Sequence, residues 1–186
     1  MQILVTPRLT LRPPAMPDAE DIAAWLSEWD VARMLSAVPH PYRLEDAERW
    51  IEDVRGRPAD LVFTIHRERL IGVVSIEKSE GESADGAPRL GYWLGSRWHG
   101  HGFMTEAARC LLEHAFRTHG LSDVRSSAFL DNPASLAVQR KLGFLETRDS
   151  EIWSRSRQAM VAQRNTVVTA EAFAAARAFS PHKNAA

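Results

Sequence analysis

The sequence predicts an α+β (mixed α/β) fold, a mixed sheet with helices on both faces. Three observations carry that prediction. Glycine, proline and polar clusters divide the chain into alternating apolar elements, with no internal repeat or low-complexity tract. Two β-branched runs, 61–66 and 70–77, are separated only by residues 67–69, the signature of a hairpin. A short apolar strand, 90–94, then runs straight into a glycine-bearing turn that opens a long amphipathic helix.

Taken in order, Thr10 and its neighbours supply the first strand, and helices follow over 18–28 and 44–55. After the hairpin, residues 78–88 (KSEGESADGAP) are polar and glycine-containing, a flexible loop rather than a domain linker. Residues 106–119 form the long helix and contain the only cysteine, Cys110, which is expected to pack in the interior. A strand at 124–130 precedes a short helix. There Asn132 and Pro133 open the helix, Leu136, Val138 and Leu142 form its apolar side, Arg140 and Lys141 close it, and Gly143 stops it. Residues 150–164 show no clean alternation, 165–169 read as a strand and 170–178 as a short helix. One domain, 1–179, with a tail at 180–186, accounts for all of this.

The 186 residues, 45% of them hydrophobic, are enough to bury a sizeable core. A formal net charge of −1 lacks the basic excess of a general nucleic-acid binder. No apolar run approaches the roughly 18 residues needed to span a bilayer, and no signal-peptide pattern opens the chain, so the expectation is a cytoplasmic protein away from membranes. A single cysteine permits no intrachain disulfide.

Residues 97–107, RWHGHGFMTEA, are the most informative stretch. Gly100 and Gly102 allow a tight turn and close approach to a ligand, and the first amides of the following helix lack intrahelical acceptors. With the helix dipole, such a turn suits a diphosphate. Two other phosphate binders nearly fit. Counting from Gly95 gives P-loop spacing, but His101 and Gly102 replace its lysine and hydroxyl. From Gly100 the dinucleotide pattern puts Thr105 in place of the third glycine. Alone, the turn is equally an ordinary strand-to-helix connection.

A second segment, NPASLAVQRKLGF (132–144), changes that balance. RxxGxG before a long helix, followed about thirty residues later by NxxS opening a short helix that ends KLGF, resembles the GCN5-related N-acetyltransferase (GNAT) superfamily. The similarity is greatest to its branch of ribosomal-protein alanine and serine N-acetyltransferases. TPRLTLRPPAMPDAEDIAAWL and LEDAERWIEDV are similar to that branch's first strand and first two helices, and the chain's ending is similar to its final hairpin strand and closing helix. The resemblance implies a mostly antiparallel sheet of about seven strands, splayed between the fourth and fifth, here 90–94 and 124–130.

It also implies an activity: transfer of an acetyl group from acetyl-CoA to a primary amine by direct attack through a tetrahedral intermediate. The backbone of Tyr92, Trp93 and Leu94 would then bind pantetheine. That of His99, Gly100, His101, Gly102, Phe103, Met104 and Thr105 would bind the pyrophosphate. Arg97 stands at the motif's arginine position, or is a solvated surface charge. Thr105 bonds a phosphate or caps the first turn. Asn132 bonds pantetheine or a water, caps its helix, or does both. Arg140 and Lys141 suit the helix dipole better than the adenosine phosphate.

The branch's usual tyrosine is missing from the helix after the fifth strand, which leaves Ser135 to protonate the thiolate, or only to stabilise its own helix turn. An amide near Leu94 suits the developing oxyanion. Arg89 stands where this branch often has glutamate. Glu77 through a water, His66, or water alone remain as the base. The histidines lack zinc-site ligand spacing, and thioester aminolysis needs no metal. The tryptophans read as packing residues, with Trp98 partly covering the cofactor.

In the family, the acceptor is selected by the loop 36–43 and by 154–164. Their arginines 43, 155, 157 and 164 lean toward an acidic or zwitterionic amine, such as an amino acid or a peptide N-terminus, unless they are merely solvated. The branch often pairs as a homodimer. The competing reading is an acyl-CoA-binding or sensing module without chemistry.

Overall fold

The computed structural model describes residues 2–78 and 86–178. Among these, eight strands form one sheet: β1 (Leu4–Val5), β2 (Thr10–Arg12), β3 (Leu61–His66), β4 (Leu70–Lys78), β5 (Pro88–Leu94), β6 (Asp123–Phe129), β7 (Leu145–Ser154) and β8 (Ala159–Thr169). Their order is β1-β2-β3-β4-β5-β6-β8-β7. Every neighbouring pair is antiparallel except β5 and β6, which are parallel and share a single register pair, Arg89↔Arg125. That is the expected splay. The eighth strand, beyond the expected seven, is the two-residue β1, too short to leave a periodic signal.

The helices are α1 (Ala19–Leu26), α2 (Trp29–Ala32), α3 (Leu44–Arg55), α4 (Phe103–Thr118), α5 (Pro133–Lys141) and α6 (Ala170–Ala178). In α3, Ala47, Ile51 and Val54 are buried at helical spacing, with Glu45 and Asp46 in the first turn, where the dipole favours acids. In α4 the buried stripe is Phe103, Met104, Ala107, Ala108, Leu111, Leu112 and Ala115. The helix therefore starts at Phe103, earlier than the expected 106. The expected helix 18–28 is instead a 3₁₀ turn at Met16–Asp18, then α1, with the separate turn α2 after it. Trp29, expected to pack, is 46% exposed on α2.

Two cores sandwich the sheet. On one face, α4 and α6 bury Leu111, Leu112 and Phe173 against Ile65, Val74, Leu90 and Val124. On the other, α1 and α3 bury Ile22, Trp25, Ile51 and Val54 against Val62, Leu70 and Val73. β4 is buried on both faces, as a central strand should be.

The C-terminal region differs most from expectation. Residues 150–164, which show no alternation, belong to a long hairpin, β7 and β8, and the strand expected over 165–169 begins at Ala159. β7 is an edge strand with charged residues facing solvent on both sides, so nothing imposes alternation. The connection expected over 78–88 is bounded by Lys78 in β4 and Pro88 in β5; its residues 79–85, and the expected tail at 180–186, lie outside the described residues. Among the described residues, no helix is long and apolar enough to cross a membrane.

Candidate active site

The site begins with how β5 spends its main chain. The Gly95 amide donates to the Ile71 carbonyl at 3.0 Å, and Gly72 faces Leu94. In an antiparallel pair, residues alternate between bonding the partner strand and turning away from it. Gly95, Trp93 and Gly91 therefore bond β4, while Leu90, Tyr92 and Leu94 turn toward β6. Leu90 O accepts from Ser126 Oγ there, at 2.9 Å. Beyond that point the parallel ladder has ended, and the main chain of Tyr92 and Leu94 faces a wedge. His99 Nε2 donates to Leu94 O at 2.9 Å, tying the next turn to the wedge mouth. Trp93 differs from its two neighbours: its main chain serves β4 and its ring packs against the α3 core.

That turn is the glycine segment. Gly100 and Gly102 both sit in the left-handed region, φ 79° and 78°, where a side chain is strained. Gly102 is the N-cap of α4, and the first amide to find an intrahelical acceptor is that of Glu106, bonding Gly102 O at 3.1 Å. The amides of Phe103, Met104 and Thr105 precede it. Thr105 is partly exposed and its hydroxyl makes no hydrogen bond among the described residues, which removes its capping role. Arg97 is exposed, its guanidinium 5.7 Å and 5.9 Å from the rings of Trp25 and Trp98. Trp98 packs between both cores with its buried Nε1 unpartnered among the described residues.

A brace that the motif does not contain holds this turn. Arg8 donates to His101 O at 3.1 Å and pairs with Glu106 at 2.6 Å, while its guanidinium stacks 4.6 Å from the Phe103 ring centroid. Thr6 Oγ1 donates to the same carboxylate at 2.6 Å. Neither partner is visible from local spacing, because about a hundred residues separate them from Glu106.

The far wall is polar. Asn132 caps α5, its Oδ1 accepting from Ser135 N at 3.1 Å. Ser135 Oγ shares a 2.9 Å hydrogen bond with Tyr92 Oη, whose single proton has Ser135 O at 3.2 Å as its other acceptor. Behind them lies Gln139, fully buried: Nε2 donates to Ser126 Oγ, Ser127 O and Ser135 Oγ, and Oε1 accepts from Thr166 Oγ1 at 2.8 Å. The Ser127 carbonyl can only accept, which fixes the amide's orientation. Burial pushes the Tyr92 phenol up, so it stays protonated across the neutral range. A tyrosine does stand beside Ser135, then, but it comes from β5 rather than from the helix where sequence comparison seeks it.

Glu77 lies across β4 from Arg89. Its Oε1 accepts from Ser75 Oγ at 2.6 Å and its Oε2 from Arg57 at 2.9 Å. A Cβ on Gly91 would be 3.3 Å from Ser75 Oγ, so the Ser75–Glu77 pair borders the bare backbone of Gly91. His66 lies elsewhere. It bonds Thr64, stands 3.9 Å from Asp18, and is lowered in pKa by burial and then by Arg12. His99 and His101 contact carbonyls, and His114 and His119 contact each other. Of the specificity arginines, Arg157 and Arg164 are spent on Asp131 and on the Asp149–Glu146 pair, and Arg155 bonds Ser36 and Ala37.

Residues 8–145 match the family model for the acetyltransferase (GNAT) domain. The chain belongs to the GNAT acetyltransferase family. YdaF of Bacillus subtilis, whose name proposes a ribosomal N-acetyltransferase, is 30% identical over 103 residues, 55% of this chain and about half (54%) of that protein. Two solved structures share the fold. RimJ of Mycobacterium smegmatis in complex with CoA-disulfide has a TM-score of 0.77 at 20% identity, covering 91% of this chain and 87% of that one. The ribosomal-protein-S5-alanine acetyltransferase of Vibrio fischeri has a TM-score of 0.78 at 17% identity, covering 93% and 99%.

Proposed function

We propose that this GNAT protein is a cytoplasmic, acetyl-CoA-dependent N-acetyltransferase acting on the α-amine of a peptide or of a small amino-acid-like molecule. The observation that carries the reading is the outward-turned main chain of Tyr92 and Leu94, continuous with the glycine turn at the start of α4. An extended amide-bearing arm can pair with such an edge as an added strand would. A diphosphate suits the amides of Phe103, Met104 and Thr105, with Gly100 open to approach. When bound, acetyl-CoA supplies an activated acetyl thioester.

The chain's own groups then divide the work. Tyr92 and Leu94 hold the arm, and Trp93 spaces them. The Leu94 amide faces the developing negative charge on the carbonyl oxygen. Ser135 Oγ, fixed by Tyr92 and Gln139, keeps a proton available for the departing sulfur. Glu77, 2.9 Å from Arg57, takes the amine's proton through a water.

The acceptor's basicity matters because only the neutral amine attacks. With a pKa near ~8, about a tenth of an α-amine is neutral at pH 7; for a lysine near ~10.4 the fraction is under about a thousandth. The less basic α-amine gives up its proton more readily, which suits transfer through a water. The ribosomal-protein alanine acetyltransferase among the structural relatives supports the same acceptor class.

Calorimetric titration with acetyl-CoA, CoA and the 3′,5′-ADP fragment tests the reading. Both thioester and free CoA should bind, the fragment much more weakly. Gly100→Val, which forces a β-branched residue into the left-handed region, should weaken binding at least about tenfold. Folded wild-type protein that binds neither acetyl-CoA nor CoA would refute the proposal.

A further inference from the structure

α1 and α3 roof only part of their side of the sheet, packing on Val62, Leu70, Val73 and Trp93. Beside that roof, where β5 and β6 meet, lies a half-open cavity of about 390 Å³. Arg89, Asp123 and Arg125 come from the joined strands, Asn165 from β8, and Thr147 and Arg148 from the β7 bulge. Among the described residues, the guanidiniums of Arg89 and Arg148 line this cavity with the Asp123 carboxylate, which already accepts from Ser122 Oγ at 2.9 Å. Arg89 and Arg125 are direct register partners. Among the described residues, the side chains of Arg89 and Arg148 make no hydrogen bond or ion pair.

The cavity adjoins the site proposed for acetyl transfer. Arg89 and Gly91 share a sheet face with Trp93, two residues apart and so about 6 to 7 Å along β5. Glu77, the proposed proton acceptor, pairs with Arg89 across β4. We propose that this cavity is the acceptor's anion subsite, so the substrate is a primary amine bearing a carboxylate some 6 to 7 Å away. A peptide with an acidic residue next to its N-terminus has that spacing, as does a small dicarboxylic amino acid. A polycationic acceptor is repelled. This rests on the acetyl-transfer reading above and adds its specificity.

The test compares kcat/KM for the peptide amides Ala-Glu-Glu, Ala-Gln-Gln and Ala-Lys-Lys, and for free glutamate against glutamine. The acidic member should win by at least about tenfold, through KM, in whichever source is the true one. Arg89→Gln and Arg148→Gln should reduce that preference to under about threefold, and Arg148→Glu should shift it toward Ala-Lys-Lys. Acetyl-CoA affinity, read by calorimetry, should stay within about twofold in all three variants, which shows that they fold. Calorimetry with Ala-Glu-Glu in the absence of acetyl-CoA reads the arginine site independently of turnover. Neutral or basic acceptors performing as well as acidic ones, or an acidic preference surviving both glutamine variants, would overturn the assignment. Loss of acetyl-CoA binding in wild type would instead overturn the acetyl-transfer reading.

Discussion

Along β4, strand β5 is paired over its whole length, from Gly72↔Leu94 to Lys78↔Pro88; along β6 it is joined at Arg89↔Arg125 alone. The same seven residues thus build one edge that is fully laddered and another whose ladder stops after a single register pair. The first edge is tight enough that it excludes a Cβ at Gly72. The second is lined by polar side chains, Tyr92, Ser126, Ser135 and Gln139, that keep the divergence satisfied on one wall. A sheet can open this way only because the opposite edge is closed, since the cost of the unpaired groups must be offset by the strand's other neighbours.

That contrast breaks most visibly at Gly72. A Cβ there falls 2.2 Å from Trp93 O and 2.7 Å from Leu94 Cδ2, and a carbonyl in a ladder cannot rotate away. Gly72→Val should cost more than about 4 kcal/mol, seen as loss of the cooperative denaturant transition. A wild-type midpoint would mean that the closed edge is not what holds β5. On the open edge, Ser135→Ala should lower kcat about a hundredfold, or about 2.7 kcal/mol, with acetyl-CoA affinity within twofold. Unchanged kcat would reduce Ser135 to a helix residue.

Gln139→Leu strands the Thr166 hydroxyl in the interior and should cost about 1 to 3 kcal/mol in thermal or denaturant stability. If it is neutral, the polar wall is not needed to sustain the opening. Tyr92→Phe should cost only about 1 kcal/mol at neutral pH. Its phenol is raised by burial, so its stabilising contribution is complete below its unfolded value near 10 and fades as pH rises through the folded value. The variant should therefore flatten the alkaline decline in stability. Tyr42, pushed up to about 12 by burial and then by Asp46, adds to the same slope, and Tyr42→Phe removes its share.

How much of this was readable in the chain follows from where each signal is stored. α3 and the β3–β4 hairpin were legible almost to the residue, because their apolar spacing is local and uninterrupted. The glycine turn was legible because positive φ leaves a residue-type mark. β7 was not, since LETRDSEIWS at a solvated edge needs no alternation. Nor was the wall behind Ser135, where Gln139 and Thr166 are polar residues in core positions and sequence patterns treat polar as exposed. Arg8 and Glu106 meet across more than half the length of the chain, and no window contains both.

The turn between β7 and β8 docks on the segment after α2: Arg155 N donates to Ser36 O at 2.9 Å, Ser156 Oγ to Ala32 O at 3.0 Å, and Arg157 Nε to Arg33 O at 2.6 Å. β8 also sits between β6 and β7, although it is made after both. During synthesis, at about 5–20 residues per second, the first helices and the β2–β5 meander can assemble while β6 still waits for its antiparallel neighbour. The wedge between β5 and β6 therefore closes last. A nascent chain stalled before residue 159 would carry the glycine turn and the residues of the polar wall, yet lack the strand that pairs with β6 and bonds Gln139.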